Sequence, residues 1–336
     1  MKTLLELIRQ LIDIPSVTGE EGDVASFVEK TLVDRGFRVR LQEVEPGRHN
    51  VYALTDGQPK VVLCTHLDTV PPFYESSEDE EYIYGRGACD AKGCLAAMVA
   101  AATRLRDQNV RGLGLLFVVG EEVDSIGAKT ANRLEPGSRY VLVGEPTECR
   151  MASGHKGTFG FLLRARGRAA HSAYPHLGDS AIERLMDALG KIRRADWGHS
   201  ALLGPATVNV GTLSGGVAAN VIAAEAQAEV LVRVVGKAAD AEATLQGIIG
   251  TDSSIDYRVF TKKDAVTCET LPGFDAAPVS FGTDIPSLTA FGKPLLLGPG
   301  SIHDAHGARE KIGKQEAVRA VELYYQAASD LLERAS

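Results

Sequence analysis

No window of this 336-residue sequence reaches the roughly 18 consecutive apolar residues that a membrane span needs. The opening "MKTLLELIRQLIDIPS" is amphipathic, interrupted by Arg9 and Asp13, and lacks the unbroken apolar core and small-residue cleavage site of a signal peptide. Cysteines number five (Cys64, Cys89, Cys94, Cys149 and Cys268), an odd count without any Cys-x-x-Cys spacing. That argues against a disulfide framework or a structural zinc knuckle and for buried thiols in a reducing compartment, so a cytoplasmic protein is expected. Positive charge is in deficit, 36 Lys and Arg against 44 Asp and Glu, a formal charge of −8. Neither nucleic acid nor an anionic membrane would be drawn to it. There is no Gly-x-Ser-x-Gly elbow and no Walker Gly-Lys-Ser/Thr, which leaves serine-nucleophile and phosphate-loop chemistry without support. Internal repeats and low-complexity linkers are also lacking.

What is present is globular: 44% hydrophobic and 24% charged residues, in a chain long enough for two domains. Helical periodicity in "TLLELIRQLI" and "EEGDVASFVEKTLVDRG" precedes short apolar strands at "FRVRLQEV", "NVYALT" and "KVVLCTH". The alanine-rich helix "AKGCLAAMVAAATRLRDQ", strand "GLGLLFVVG", helix "SIGAKTANRL" and strand "RYVLVGE" follow. This alternation predicts an α/β domain with a mostly parallel sheet flanked by helices. From "GHKGTFGFLLRARG" the order becomes β-α-β-β-α-β, that of a small ferredoxin-like α+β unit. After roughly Lys262 the α/β character resumes, ending in "KQEAVRAVELYYQAASDLLERA". The expected organisation is a discontinuous catalytic domain, 1–153 and 263–336, interrupted by an inserted domain, 154–262. The acidic run "ESSEDEEY" reads as a solvated loop.

The chemistry-bearing residues gather just past strand or loop ends. In "VVLCTHLDTVPP", His66 and Asp68 stand two apart, on one side of an extended chain, at the C-terminal end of a buried strand. Asp90 lies in the Gly-rich "YGRGACDAKG"; Glu121 and Glu122 end "LLFVVGEE"; Glu145 ends "YVLVGE"; His303 and His306 follow the turn in "LLLGPGSIHDAH". Each has an ordinary alternative: a helix cap for Asp90, an exposed turn for Glu145, loop residues for the histidines. Glu121–Glu122 is harder to dismiss, since adjacent carboxylates repel unless something positive is near. In a parallel sheet these ends share one rim, where α/β proteins bind ligands. Imidazoles and carboxylates without a nearby cysteine suit zinc, and a bridging carboxylate suits two ions roughly 3.5–4 Å apart.

"HLDTVP", "GRGACDAKG", "GEE", "GEPT" and "GPG…AHGARE", in this order, together with "IPSVTGEEG", resemble the two-metal exopeptidase and deacylase family. That family includes acetylornithine deacetylase, acetyl-lysine deacetylase, succinyl-diaminopimelate desuccinylase and glutamate carboxypeptidase. The resemblance covers essentially the whole chain and implies a zinc-exopeptidase-like catalytic domain with an inserted lid and dimerisation domain. It implies that His66, Asp90 and Glu145 hold one metal and Asp90, Glu122 and His306 the other, with Asp90 shared. Two divalent ions are implied, zinc foremost and cobalt as the alternative. His303 competes with His306, but Ala305 and Glu310 flank His306 as the family pattern requires. Asp68 would orient His66, and Glu121 would be the general base that takes a proton from the attacking water and delivers it to the leaving amine.

In the inserted domain, "AAHSAYPHLGDSAIE" resembles the segment whose histidine, here His171, helps stabilise the oxyanion, in dimeric members across the subunit boundary. "AANVIAAEAQAEVLVRV" resembles the strand pair whose Asn220 and Arg233 hold the substrate carboxylate, a task an arginine fork suits. "SFGTDIPSL" would supply a substrate-facing loop through Gly282, Thr283 and Asp284. Two departures, Ala223 for a proline and Ala91 for a methionine, remove no ligand. The expected function is a metal-dependent amidohydrolase of an N-acyl amino acid, of the deacetylase or desuccinylase type used in arginine or lysine biosynthesis. A dipeptidase or carboxypeptidase is the alternative within this chemistry; a non-catalytic metal-dependent binding protein is the alternative outside it. The expected partners are a small N-acyl amino acid or dipeptide and a second copy of the chain, with no nucleic acid or membrane.

Overall fold

The computed structural model describes residues 4–250 and 253–335. The chain divides into two compact units, the first Met1–Ser153, Cys268–Ala277 and Thr283–Ser336, the second Gly154–Thr267 and Pro278–Gly282. In chain order the first unit supplies α1 (Leu4–Ile12), α2 (Gly22–Asp34), β1 (Arg38–Glu45), β2 (Arg48–Leu54), β3 (Val61–His66), α3 (Gly93–Asp107), β4 (Leu113–Val118), α4 (Ile126–Ala131) and β5 (Tyr140–Val143). The second supplies β6 (Gly157–Arg166), α5 (Ala181–Arg194), β7 (Thr207–Gly215), β8 (Glu225–Val234), α6 (Ala238–Ile249) and β9 (Ile255–Lys263). The first resumes with β10 (Lys293–Leu296) and α7 (Lys314–Arg334).

The first unit is built on a six-stranded sheet of order β1-β2-β4-β3-β5-β10. β3 runs parallel to β4 and to β5, and β5 parallel to β10, while β1–β2 and β2–β4 are antiparallel. β3 and β4 are buried at every position, as expected of apolar runs in a sheet covered on both faces. Each fully buried Val, Leu or Phe on these strands contributes about 1.5–3 kcal/mol. The alanines of α3 let that helix pass through the interior with almost no solvent-facing side, against α1 and α7.

The acidic run is exposed, as expected of a solvated loop, but two short strands order part of it. Ser77–Glu78 and Tyr82–Tyr84 pair as short strands, and Lys311–Gly313 adds a third. The charges are absorbed locally. Asp79 accepts the Glu81 and Tyr82 amides and the Tyr84 hydroxyl, and Glu78 pairs with Arg9 at 2.7 Å and Lys314 at 2.8 Å.

The second unit has the β-α-β-β-α-β order, in an antiparallel sheet β7-β8-β6-β9. β8 alternates exposed and buried residues, so one face is solvated while the other packs Phe159, Phe161, Val230 and Val232 against Leu185, Ile192 and Leu245 of the helices. The chain stays with this unit beyond residue 263, because Val266 and Thr267 pair with His155 and Gly154.

Candidate metal centre and active site

Parallel pairing places the C-terminal ends of β3, β4, β5 and β10 on one rim. His66 is the last residue of β3 and lies level with Val118, the last of β4. Val143 is level with Cys64, so Glu145 leaves β5 where His66 leaves β3. Thr65 Oγ1 donates to the Gly144 carbonyl at 2.7 Å, tying the two ends together. A Cβ at Gly298 would run into the Glu145 carbonyl and the Cys94 sulfur, so only glycine lets the turn after β10 close over the rim. Beyond that turn, His306 takes a left-handed conformation (φ 62°), uncommon for a non-glycine residue.

The five residues named as ligands come together. Asp90 lies between the histidines: Oδ1 is 3.0 Å from His66 Nε2 and Oδ2 is 3.3 Å from His306 Nε2. Glu145 flanks His66 at 4.0 Å, and Glu122 flanks His306 at 3.1 Å. Ligand atoms of His66, Asp90 and Glu122 all lie within 4.8 Å of one another. A tetrahedral zinc with bonds of ~2.0–2.2 Å sets its donors about 3.3 Å apart, which the Asp90 and His306 spacings match. Nitrogen and oxygen donors grouped on either side of a shared carboxylate fit two divalent ions. His303 is exposed, with its amide on Ser301 Oγ; His306 is the histidine at the cluster.

Burial opposes the charged form of His66, but Asp68, Asp90 and Glu145 outweigh it and raise its pKa well above the ordinary imidazole value. Asp90 and Glu122 raise His306 to about 10. Asp90 is held well below the usual carboxylate range by the two histidines despite its burial. Glu145 moves well upward, by burial above all, with Asp90, Glu121 and Asp284 adding to it.

Asp68 meets His66 chiefly through its main chain. His66 Nδ1 is satisfied by the Asp68 main-chain carbonyl at 2.8 Å, whereas the Asp68 carboxylate stands 3.6 Å away, beyond hydrogen-bond length. That carboxylate instead accepts the amides of Glu121 (3.0 Å) and Glu122 (3.1 Å) and the Thr18 hydroxyl (2.8 Å). The turn it braces begins at Gly120 (φ 77°) and carries the Glu122 carboxylate to His306.

In the second unit, His171 and Val221 form an isolated bridge and the Ser172 amide donates to the Asn220 carbonyl at 3.0 Å, drawing His171 and Asn220 together. His171 is exposed, and its Nδ1 accepts the Ala173 amide at 3.1 Å. A neutral ring in that bond carries its proton on Nε2, the tautomer that can donate. Arg233 reaches Gly282, whose Cβ direction meets its Nη1 at 3.7 Å. Thr283 and Asp284 are buried in the first unit, Thr283 Oγ1 accepting the Ile285 amide and Asp284 acting electrostatically on Glu145 and Cys64. Thr18, Arg86 and Lys92 escaped the sequence reading as members of this region. Lys92 is buried, donates to the Ile14 carbonyl at 2.8 Å and is pulled by burial to about 7. Basic residues on either side of Asp90 in a Gly-rich stretch are the signal that singles out Arg86 and Lys92 in "YGRGACDAKG".

Two family models match the chain: Peptidase family M28 over residues 50–144 and the Peptidase dimerisation domain over 153–251. A peptidase M20 domain-containing protein of Schizosaccharomyces pombe is 41% identical over 319 residues, spanning 92% of this chain and 80% of the relative. A probable carboxypeptidase of Aspergillus niger is 37% identical, spanning 98% of this chain and 90% of its own. Among solved structures, an M20 family metallo-carboxypeptidase of Sulfolobus solfataricus superposes with a TM-score of 0.82 at 15% identity, covering 99% of this chain and 100% of the other.

Proposed function

The chain belongs to the M20 peptidase family, and on that premise we propose that it is a carboxypeptidase-type exopeptidase, hydrolysing the amide bond on the amino side of a residue whose carboxylate is free. Metal-dependent hydrolysis of amide bonds is the family's chemistry, and the named relatives favour a peptide-like substrate. The observation that carries the reading is the shared Asp90, whose two oxygens face separate imidazoles at 3.0 and 3.3 Å. His66, Asp90 and Glu145 would hold one divalent ion and Asp90, Glu122 and His306 the other. Zinc fits the donors best and cobalt is the alternative. Such ions supply Lewis-acid polarisation of the scissile carbonyl and acidify water.

The chain's own residues do the rest. Glu121, on the turn braced by Asp68, accepts the proton of the attacking water and returns it to the leaving amine. His171 donates from Nε2 to the developing oxyanion, and Asn220 and Arg233 receive the substrate carboxylate. The resemblance to deacetylases and desuccinylases supports a second reading, an N-acyl amino acid deacylase. It breaks the same bond with an acyl group in place of the aminoacyl group.

The protein acts as a homodimer through its second unit. β7 is an edge strand; Leu213 (60% exposed) lies on it and Val217 (87%) just past its end. The five free, buried thiols suit the cytoplasm; no helix among the described residues is long and apolar enough to cross a membrane.

The test is a hydrolysis screen of the zinc-loaded protein on dipeptides, N-acetyl and N-succinyl amino acids, and their C-terminal amides. Dipeptides with a free carboxylate should be cleaved fastest and the amides poorly. Equal cleavage of the amides would remove carboxylate recognition, and hydrolysis of none by protein holding two metals would remove the enzyme reading.

A further inference from the structure

Arg86 and Glu310 are 2% and 1% exposed, and Arg86 Nη1 meets Glu310 Oε2 at 2.7 Å. A buried ion pair is poor evidence of stabilisation, since desolvating both charges offsets most of their attraction. What this pair touches is more informative. Glu310 Oε1 accepts the backbone amides of Cys89 (3.2 Å) and Asp90 (3.1 Å), and the Glu310 carbonyl accepts the Gly85 amide at 3.0 Å. Arg86 Nε donates to the Pro72 carbonyl at 3.2 Å, and its Nη2 approaches the His306 carbonyl at 3.5 Å. One buried pair thus ties together the segments around 72, 86–90 and 306–310.

The residues in need of such fastening are those of one metal position. His66 ends β3, and Glu145 leaves β5 beside it, so regular sheet bonding orients that pair. Asp90 and His306 sit in irregular backbone, Asp90 at φ −124°, ψ 87° and His306 at φ 62°. Asp90 lies in a single π-type turn, Ala88–Lys92, at dihedrals that are not helical, and His306 lies in a loop. Glu122, the third member of that position, has its amide braced by Asp68.

We propose that Arg86 and Glu310 are positioning residues that set Asp90 and His306 for the second metal, the ion shared with Glu122; this rests on the two-metal reading above. Neither side chain contacts the metal or the substrate. Their effect passes through the Asp90 amide and the His306 carbonyl, as outer hydrogen bonds orient ligands elsewhere.

Metal affinity by competition with a chromophoric chelator tests this, with circular dichroism and thermal unfolding reporting the fold. Wild-type protein should take up two zinc ions. Glu310→Ala and Arg86→Met should keep the first at unchanged affinity and bind the second about 10–100-fold more weakly. Their kcat should fall while KM holds, and excess zinc should restore kcat, which a purely structural role would not allow. Arg86→Lys, retaining a cation against Glu310, should keep most of the second-site affinity. If either single variant fails to fold, the paired Arg86→Met/Glu310→Met replacement leaves no unpaired buried charge and should show the same selective loss. Folded variants that bind both ions as wild type does, with only the melting temperature lowered, would overturn the proposal alone. A wild-type protein that takes up one ion would overturn the two-metal reading and the bracket with it.

Discussion

Glu121 and Glu122 are chain neighbours whose amides share one acceptor, the Asp68 carboxylate, yet only Glu122 has its carboxylate against His306. Glu121→Gln should therefore keep both metals and lose turnover by at least ~10²-fold, as for a missing general base. Glu122→Gln should lose metal first. Elemental analysis beside a rate measurement separates them, and normal turnover in Glu121→Gln would remove the base assignment. His155 provides a test remote from the metal. It is fully buried, its Nδ1 lies 2.9 Å from the Lys156 carbonyl, and burial depresses its pKa to about 4. The folded protein keeps this ring neutral while the unfolded chain charges it below about 6.5. Its contribution is therefore intact above pH 6.5 and lost as pH falls toward 4, up to about 3 kcal/mol. Urea unfolding between pH 7 and 4.5 should show a shallower acid loss for His155→Gln than for wild type; parallel curves would exclude His155 as the source.

At the level of elements, the buried strands and helices follow from local pattern. The runs in β3 and β4, the alanines of α3 and the alternation in β8 each state their surroundings in a few consecutive residues. The short strand Tyr82–Tyr84 does so only in part: Ser77–Glu78 pairs with it from nearby, but its other neighbour, Lys311–Gly313, is remote in the chain. β7 makes its own prediction. Leu213→Glu would place like charges against each other wherever two copies pair this edge about a two-fold axis. Light scattering should find a dimer for wild type and a monomer for the variant, with metal content unchanged. A dimer of the variant at low micromolar concentration would move the interface elsewhere.

For the molecule as a whole, the separation of roles between units is open to a complementation test. The proposed ligands and base belong to the first unit, and His171 belongs to the second. His171→Ala should retain both metals and fold but lose about 10²–10³-fold in kcat, the cost of one oxyanion donor. If subunits exchange this donor, mixing inactive Glu121→Gln and His171→Ala chains should restore part of the activity. No recovery would confine His171 to its own chain, and full activity of His171→Ala alone would remove its role. Metal removal should also be visible globally. Ligands that bind only the native state stabilise it by about 2.7 kcal/mol at a hundredfold excess over Kd, so a chelator should lower the melting temperature reversibly. An unchanged melting temperature after verified metal loss would mean that the ions do not brace the fold.

The sequence by itself determined the α/β class, the interruption by a β-α-β-β-α-β unit and the order of the chemistry-bearing residues. All of these are written within windows of a few to some twenty residues, where burial periodicity and turn chemistry act. Tertiary structure alone decided what depends on distant segments meeting. Asp68 braces the glutamate turn through contacts 53 and 54 residues away and receives Thr18 across 50. Glu310 reaches the Asp90 amide across 220 residues and Arg86 across 224. Asp284 acts electrostatically on Glu145, which lies far from it in the sequence. A side chain's partners are set by three-dimensional packing, and a carboxylate in a loop reads the same in sequence whether it meets water, an amide or an arginine.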